Sequence, residues 1–155
     1  MRRTCLSVIL LAMVHCVVGC TKEASLSGLA PASGVVKLKG APLAGATVTF
    51  APGPGSAVRA AYATTDQEGK FTLMTLKAGD GVMPGDYLVT VTKTETVGKV
   101  YTPEEANQYY NEHQTQPPAP EVKNVVDVKF ADPQTSGLKA AVKKGDKNEF
   151  TFDVE

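Results

Sequence analysis

The side chains that could do chemistry are few and scattered. Asp66 and Glu68, followed by Gly69, place two carboxylates in a turn, as the start of a calcium loop would. A full loop also needs further oxygen ligands at set positions and a distal bidentate Glu, and those are missing. The same residues predict a turn in which Asp66 accepts backbone amides and Gly69 takes a positive φ. Asp80 and Asp86, around Gly81 and Gly85, could approach a cation but read as solvated loop acids. His113 is the one histidine after position 15, and a lone histidine without a cysteine partner does not make a zinc site. Ser25, Ser27, Ser33, Ser56 and Ser136 contain no G-x-S-x-G. These residues therefore predict no metal, no cofactor and no catalytic constellation.

Two groups remain that could meet a partner. Tyr101, Tyr109 and Tyr110 lie beside the proline-rich run 114–120, and amphipathic rings of this kind often carry protein contacts. The plainer expectation is that they pack a helix onto the rest of the domain. Lys139, Lys143, Lys144 and Lys147 read as a solvated face that guards an edge strand, with polyanion binding the lesser alternative. The 16 basic and 16 acidic side chains balance, which argues against nucleic acid and against an electrostatically held membrane surface.

The elements that must position these groups are strands. Apolar residues recur at every second position in Val36-Leu38, Ala46-Val48-Phe50, Tyr87-Val89-Val91, Leu138-Ala140-Val142 and Phe150-Phe152-Val154. That period gives each strand one wet and one buried face, as in an antiparallel sandwich. Residues 58–63 and 71–76, flanking the Asp66 turn, are expected to form a hairpin. About 120 residues beyond position 33 suffice for one self-standing core.

The first residues have a different character. Met1-Arg2-Arg3 is basic, and residues 6–18 are apolar over the length of a signal-peptide core, too short for a membrane-spanning helix. Val17-Val18-Gly19-Cys20 resembles the bacterial lipobox. The resemblance implies a signal peptide at 1–19, cleavage between Gly19 and Cys20, and acyl chains such as palmitate on Cys20. More than one chain is needed for stable anchoring. Thr21 follows in place of the Asp associated with inner-membrane retention, so the outer membrane is favoured where the cell has one. Cleavage would remove Cys5 and Cys16, leaving no internal disulfide, and would take Arg2 and Arg3, leaving 14 basic against 16 acidic residues, a net of −2. Residues 20–33 then read as the lipidated cysteine and a flexible tether reaching about 20 Å.

Residues 36–50, Thr65-Asp66-Gln67-Glu68-Gly69-Lys70-Phe71, and Pro84-Gly85-Asp86-Tyr87-Leu88-Val89-Thr90-Val91 resemble the carboxypeptidase regulatory-like domain, over roughly 34–93 and 134–154. The resemblance implies an all-β, seven-stranded antiparallel Greek-key sandwich of transthyretin-like (prealbumin-like) type across 34–155, serving mostly as an accessory module. It excludes the zinc carboxypeptidase activity of the catalytic domain. The 5-hydroxyisourate hydrolases share the transthyretin fold but use His and Arg side chains and a Tyr-Arg-Gly-Ser tail. Arg59 is the one arginine past the signal and the last residues are Phe152-Asp153-Val154-Glu155, so that branch is excluded too.

The departure from the family is the insertion 94–124. Thr102-Pro103-Glu104-Glu105 carries an N-cap, a proline at the first helical position and a capping box, predicting one short helix over 103–112. Residues 114–120 should follow extended and exposed, and 125–130 should form a short strand. The functional expectation is a non-catalytic, lipid-anchored envelope module with a structural or protein-binding role. The alternatives are a ligand or carbohydrate receptor using 94–124, against which the absence of Trp weighs, and a hydrolase with an unrecognised site.

Overall fold

The structure, a computed structural model, describes residues 26–155. The expected signal at 1–19, the Gly19–Cys20 junction and the first part of the tether lie outside the described residues. The alternating stretches become strands that bury the apolar half of their side chains. Val36 is buried on β1 (Ala32–Leu38), and Val48 and Phe50 on β3 (Thr47–Pro52). Tyr87, Val89 and Val91 are buried on β6 (Gly85–Thr92), Ala140 and Val142 on β9 (Leu138–Val142), and Phe152 and Val154 on β10 (Asn148–Val154). Shorter strands are β2 (Ala41–Pro42), β4 (Ala61–Thr64) and β5 (Lys70–Thr72). β7 (Thr94–Val97), helix α1 (Pro103–His113) and β8 (Glu121–Asn124) make up the insertion.

Two four-stranded sheets share one core and do not close into a barrel. One runs β10-β1-β2, with β5 also paired to β1, and the other runs β4-β3-β6-β9. Phe50 from the second sheet meets Phe150 and Phe152 of the first edge to face, at 5.4 and 6.0 Å between centroids. Phe71 stacks on Phe152 at 6.1 Å, and Tyr87 lies 5.7 Å from Phe50. Large rings at the centre of the interface bury much area per ordered side chain. The Tyr87 hydroxyl donates to the Met83 carbonyl at 2.7 Å, and burial pushes its pKa up to about 12, so it remains a neutral core donor.

Four expectations are corrected by the strand paths. β1 and β10 pair in parallel, so the sandwich is not wholly antiparallel. These strands come from opposite ends of the domain, and no tight turn dictates their direction. The expected hairpin is instead a crossover, with β4 on β3 in one sheet and β5 on β1 in the other. Beyond the hydrogen bonds of the turn itself, Tyr62 and Met74 bridge across it. The turn itself forms as expected: Asp66 Oδ1 accepts from the amides of Glu68 (2.9 Å) and Lys70 (2.8 Å), and Gly69 has φ 73°. Its two ends are tied to different sheets. The buried Thr65 hydroxyl accepts from the Ala46 amide at 2.8 Å and donates to the Leu43 carbonyl at 2.6 Å, while the Gly69 carbonyl accepts from the Val36 amide at 2.8 Å.

The domain also begins earlier than position 34. Ala32 opens β1, and Ala30 exchanges backbone hydrogen bonds with Val82 at 2.8 and 3.0 Å. Both alanines are buried, and a Cβ at Gly81 would lie 2.4 Å from the Ala30 carbonyl oxygen, so glycine there lets the chain approach. Finally, the strand expected at 125–130 is displaced. β8 ends at Asn124, and Val128–Ala131 is a 3-10 turn capped by Asp127, whose carboxylate accepts from the Lys129 amide at 2.8 Å. Val126 and Phe130, four apart, turn inward together while Val128 between them is exposed, which is helical rather than strand spacing.

A pH-dependent element lies in the turn after β5. The Asp80 carboxylate accepts amides from Thr75 (2.7 Å), Leu76 (2.9 Å) and Lys77 (3.0 Å). Burial pushes its pKa up, but these donors together outweigh burial and hold it below the ordinary 3.8. A depressed folded-state pKa contributes stability above the unfolded value, lost as pH falls through the folded one. Asp80→Asn is therefore expected to flatten the fall in urea midpoint below about pH 4. An unchanged acid limb would show that Asp80 does not act this way.

Candidate partner surface

The insertion leaves the sandwich as a two-stranded ribbon and carries α1 at its far end. β7 and β8 pair antiparallel from Thr94↔Asn124 to Val97↔Glu121, and every residue in both strands is exposed. The sequence reading missed this ribbon because neither strand alternates apolar with polar residues. α1 begins as its residues dictate. The Thr102 hydroxyl accepts from the Glu105 amide at 3.2 Å, and Glu105 Oε2 accepts from the Thr102 amide at 2.9 Å, closing the capping box. Pro103 fills the first position, and Gln114, in the left-handed region at φ 57°, ends the helix one residue beyond the expected stop.

No residue of α1 is buried. The expectation that the helix packs on the sandwich is corrected: it is held by its own caps and by a short stack of side chains. Tyr101 meets Tyr109 edge to face at 5.5 Å, and Tyr109 stacks on His113 at 4.1 Å with ring planes 16° apart. Lys99 Nζ sits 4.7 Å over the Tyr101 ring and 3.0 Å from Glu105 Oε1. The Thr102 amide and then Lys99 hold the Glu105 carboxyl below its ordinary range. Lys99, Glu105 and His113 were not foreseen as members of this group. The signal was the spacing of Glu105, Tyr109 and His113, each four residues from the next along one helix face.

The three tyrosines are not one cluster. Tyr101 and Tyr109 touch, whereas Tyr110, one position further round the helix, points elsewhere and is 45% exposed. Of the seven large exposed hydrophobics among the described residues, four lie on the insertion: Val97, Val100, Tyr110 and Val122. No helix among the described residues is long and apolar enough to cross a membrane.

Thr102→Ala should remove about 1 kcal/mol of helix stability. Because α1 is uncoupled from the core, far-UV helical signal should fall while the thermal midpoint stays put. A midpoint that falls with the helical signal would show that the two are coupled.

The remaining candidates take structural places. Asp66 is spent on the turn amides, and Glu68 pairs with Lys70. Asp80 is spent on its own turn, and Asp86 lies elsewhere, on a groove of about 820 Å³ between the 53–58 loop and the β6–β9 edge. Among the described residues, no three His, Cys, Asp or Glu side chains come together as a metal would require. Lys139, Lys143, Lys144 and Lys147 are exposed on and after β9, the terminal strand of its sheet. Ser136-Gly137-Leu138-Lys139 carries a Ser-x-x-Lys spacing. Here the Ser136 hydroxyl is buried and accepts the Leu138 amide at 3.3 Å, while Lys139 is exposed on β9. No protein-family model, no curated protein and no solved structure matches the chain.

Proposed function

We propose that the protein is a non-catalytic, lipid-anchored β-sandwich module of the cell envelope, with a structural or protein-binding role carried by the 94–124 insertion. The observation that carries the binding role is an ordered helix with no buried residue, raised on a ribbon that is itself fully exposed. Helices of this length and lone two-stranded ribbons are marginal in water. An element that contributes so little to the core is retained for what it touches outside. The address rests on residues 1–20: the basic start, the apolar run and Val17-Val18-Gly19-Cys20, with Cys20 as the acylated residue and the outer membrane favoured where the cell has one. Setting aside the two-residue β2 and the ribbon strands leaves seven, three in one sheet and four in the other. That count supports the transthyretin-like, carboxypeptidase regulatory-like reading.

A protein partner is favoured over a glycan. Lys99 covers a face of Tyr101, His113 covers a face of Tyr109, and the two tyrosines meet edge to face, which leaves few ring faces for a sugar. The exposed valines and Tyr110 suit an apolar protein contact instead. The test is a pull-down of the tagged full-length protein from detergent-solubilised envelopes, beside the Tyr101→Ser, Tyr109→Ser, Tyr110→Ser triple variant. A protein retained by the wild type and lost with the triple variant is expected. The same set retained by both would overturn the assignment of this surface.

A further inference from the structure

We infer that the free edge of β8 pairs with the same edge of a second copy of this chain, about a two-fold axis through Val122. This goes beyond the envelope role and does not depend on the anchor. The hydrogen-bond phase of the ribbon fixes which backbone groups are free. The Val125 amide donates to the Lys93 carbonyl at 2.9 Å, in register with the ribbon, so Lys93 and Val125 are a hydrogen-bonded pair. Such pairs alternate along an antiparallel ladder. Glu95↔Lys123 and Val97↔Glu121 are then bonded pairs, while at Thr96↔Val122 and Thr94↔Asn124 the N–H and C=O groups point away from the ribbon. Among the described residues no backbone group pairs with the outward groups of Val122 and Asn124. Val122 is also 70% exposed, the most exposed large hydrophobic side chain among the described residues.

Charge selects a second copy as the occupant. With the axis at Val122, the two Val122 residues exchange both hydrogen bonds, and each Glu121 falls opposite the second copy's Lys123. These flanking positions are the close, non-hydrogen-bonded kind, where cross-strand side chains interact most strongly. Glu121 and Lys123 already share one face in the single chain, 3.5 Å apart, as a solvent-exposed pair. Across the joined sheet Glu95, Lys123 and the second copy's Glu121 would alternate in sign. Each Asn124 amide would donate to the second copy's Pro120 carbonyl, and Pro120, lacking an N–H, ends the pairing there.

The β7 edge offers no equal. Centred on Thr96 it sets Glu95 against Val97, and centred on Thr94 it drives the sandwiches together, because Lys93 joins β7 directly to β6.

The test is sedimentation velocity of the full chain over a concentration series in excess detergent micelles, with Glu121→Lys and Lys123→Glu. Both sites are exposed and outside the core, so both variants should keep the wild-type thermal midpoint. The wild type is expected to dimerise reversibly. Each single variant should lose roughly tenfold in dimer affinity, since two symmetry-related ion pairs become like-charge contacts. Mixing the two variants should restore association as a mixed dimer, and Glu121→Lys with Lys123→Glu in one chain should dimerise as the wild type does. Association through shared micelles would ignore these charges. A monomeric wild type, dimers indifferent to both reversals, or a mixture no tighter than its parts would each overturn the inference.

Discussion

Replacing Phe50 with alanine is expected to lower the unfolding free energy by about 3–5 kcal/mol. Phe50 is fully buried on β3 and meets Tyr87 within its own sheet and Phe150 and Phe152 from the facing one. Its removal takes away the ring around which both sheets converge, and the surrounding rings, held by paired strands, can close the cavity only in part. Domains of this size are stable by only about 5–15 kcal/mol, so the variant should approach unfolding at moderate temperature. Urea denaturation measures the loss. Tyr62→Ala, on β4 of the same sheet at an exposed position, should stay within about 0.5 kcal/mol of wild type. Equal effects at the two sites would refute a core centred on Phe50.

Gly69→Ala should be comparably severe, at roughly 3–5 kcal/mol, for a reason unrelated to apolar burial. At φ 73° an L side chain is strained, and here a Cβ would also lie 2.6 Å from the Val36 carbonyl oxygen and 3.0 Å from the Leu43 amide. Both are backbone atoms, so relief means moving β1 and the segment just after β2. Gly45 has φ 67° with nothing within 4 Å of its Cβ position, and Gly45→Ala should cost only the conformational part, about 1–2 kcal/mol. Thermal melts of the pair separate strain from collision. Equal midpoints would show that the chain at Gly69 yields freely.

These predictions also mark what the sequence could and could not reveal. The inward residues of β3, β6, β9 and β10 were legible because burial follows a period of two whatever the neighbouring strand. The capping box of α1 and the Asp66 turn were legible because both are local, closed within four residues. Strand partnership was not. Alternation says which face of β1 is buried but nothing about whether β10 runs beside it parallel or antiparallel. The turn at Asp66 looks the same whether it returns the chain to one sheet or carries it to the other, and Thr65 decides that through contacts some twenty residues away in sequence.

The candidate site was half legible. Tyr101, Tyr109 and Tyr110 stood out by type, yet the grouping of two of them with Lys99, Glu105 and His113 depends on the helix face and the approach of residues 99–101. The ribbon beneath was hidden because β7 and β8 bury nothing, and strands without a buried face leave no periodic mark.

The proposed envelope role stands on the chemistry of one residue, Cys20, and mass spectrometry of the N-terminal peptide tests it most directly. Protein recovered from the membrane fraction is predicted to begin at Cys20 and to carry acyl chains there. A chain found in the soluble extract with Met1 retained and an unmodified Cys20 thiol would contradict it.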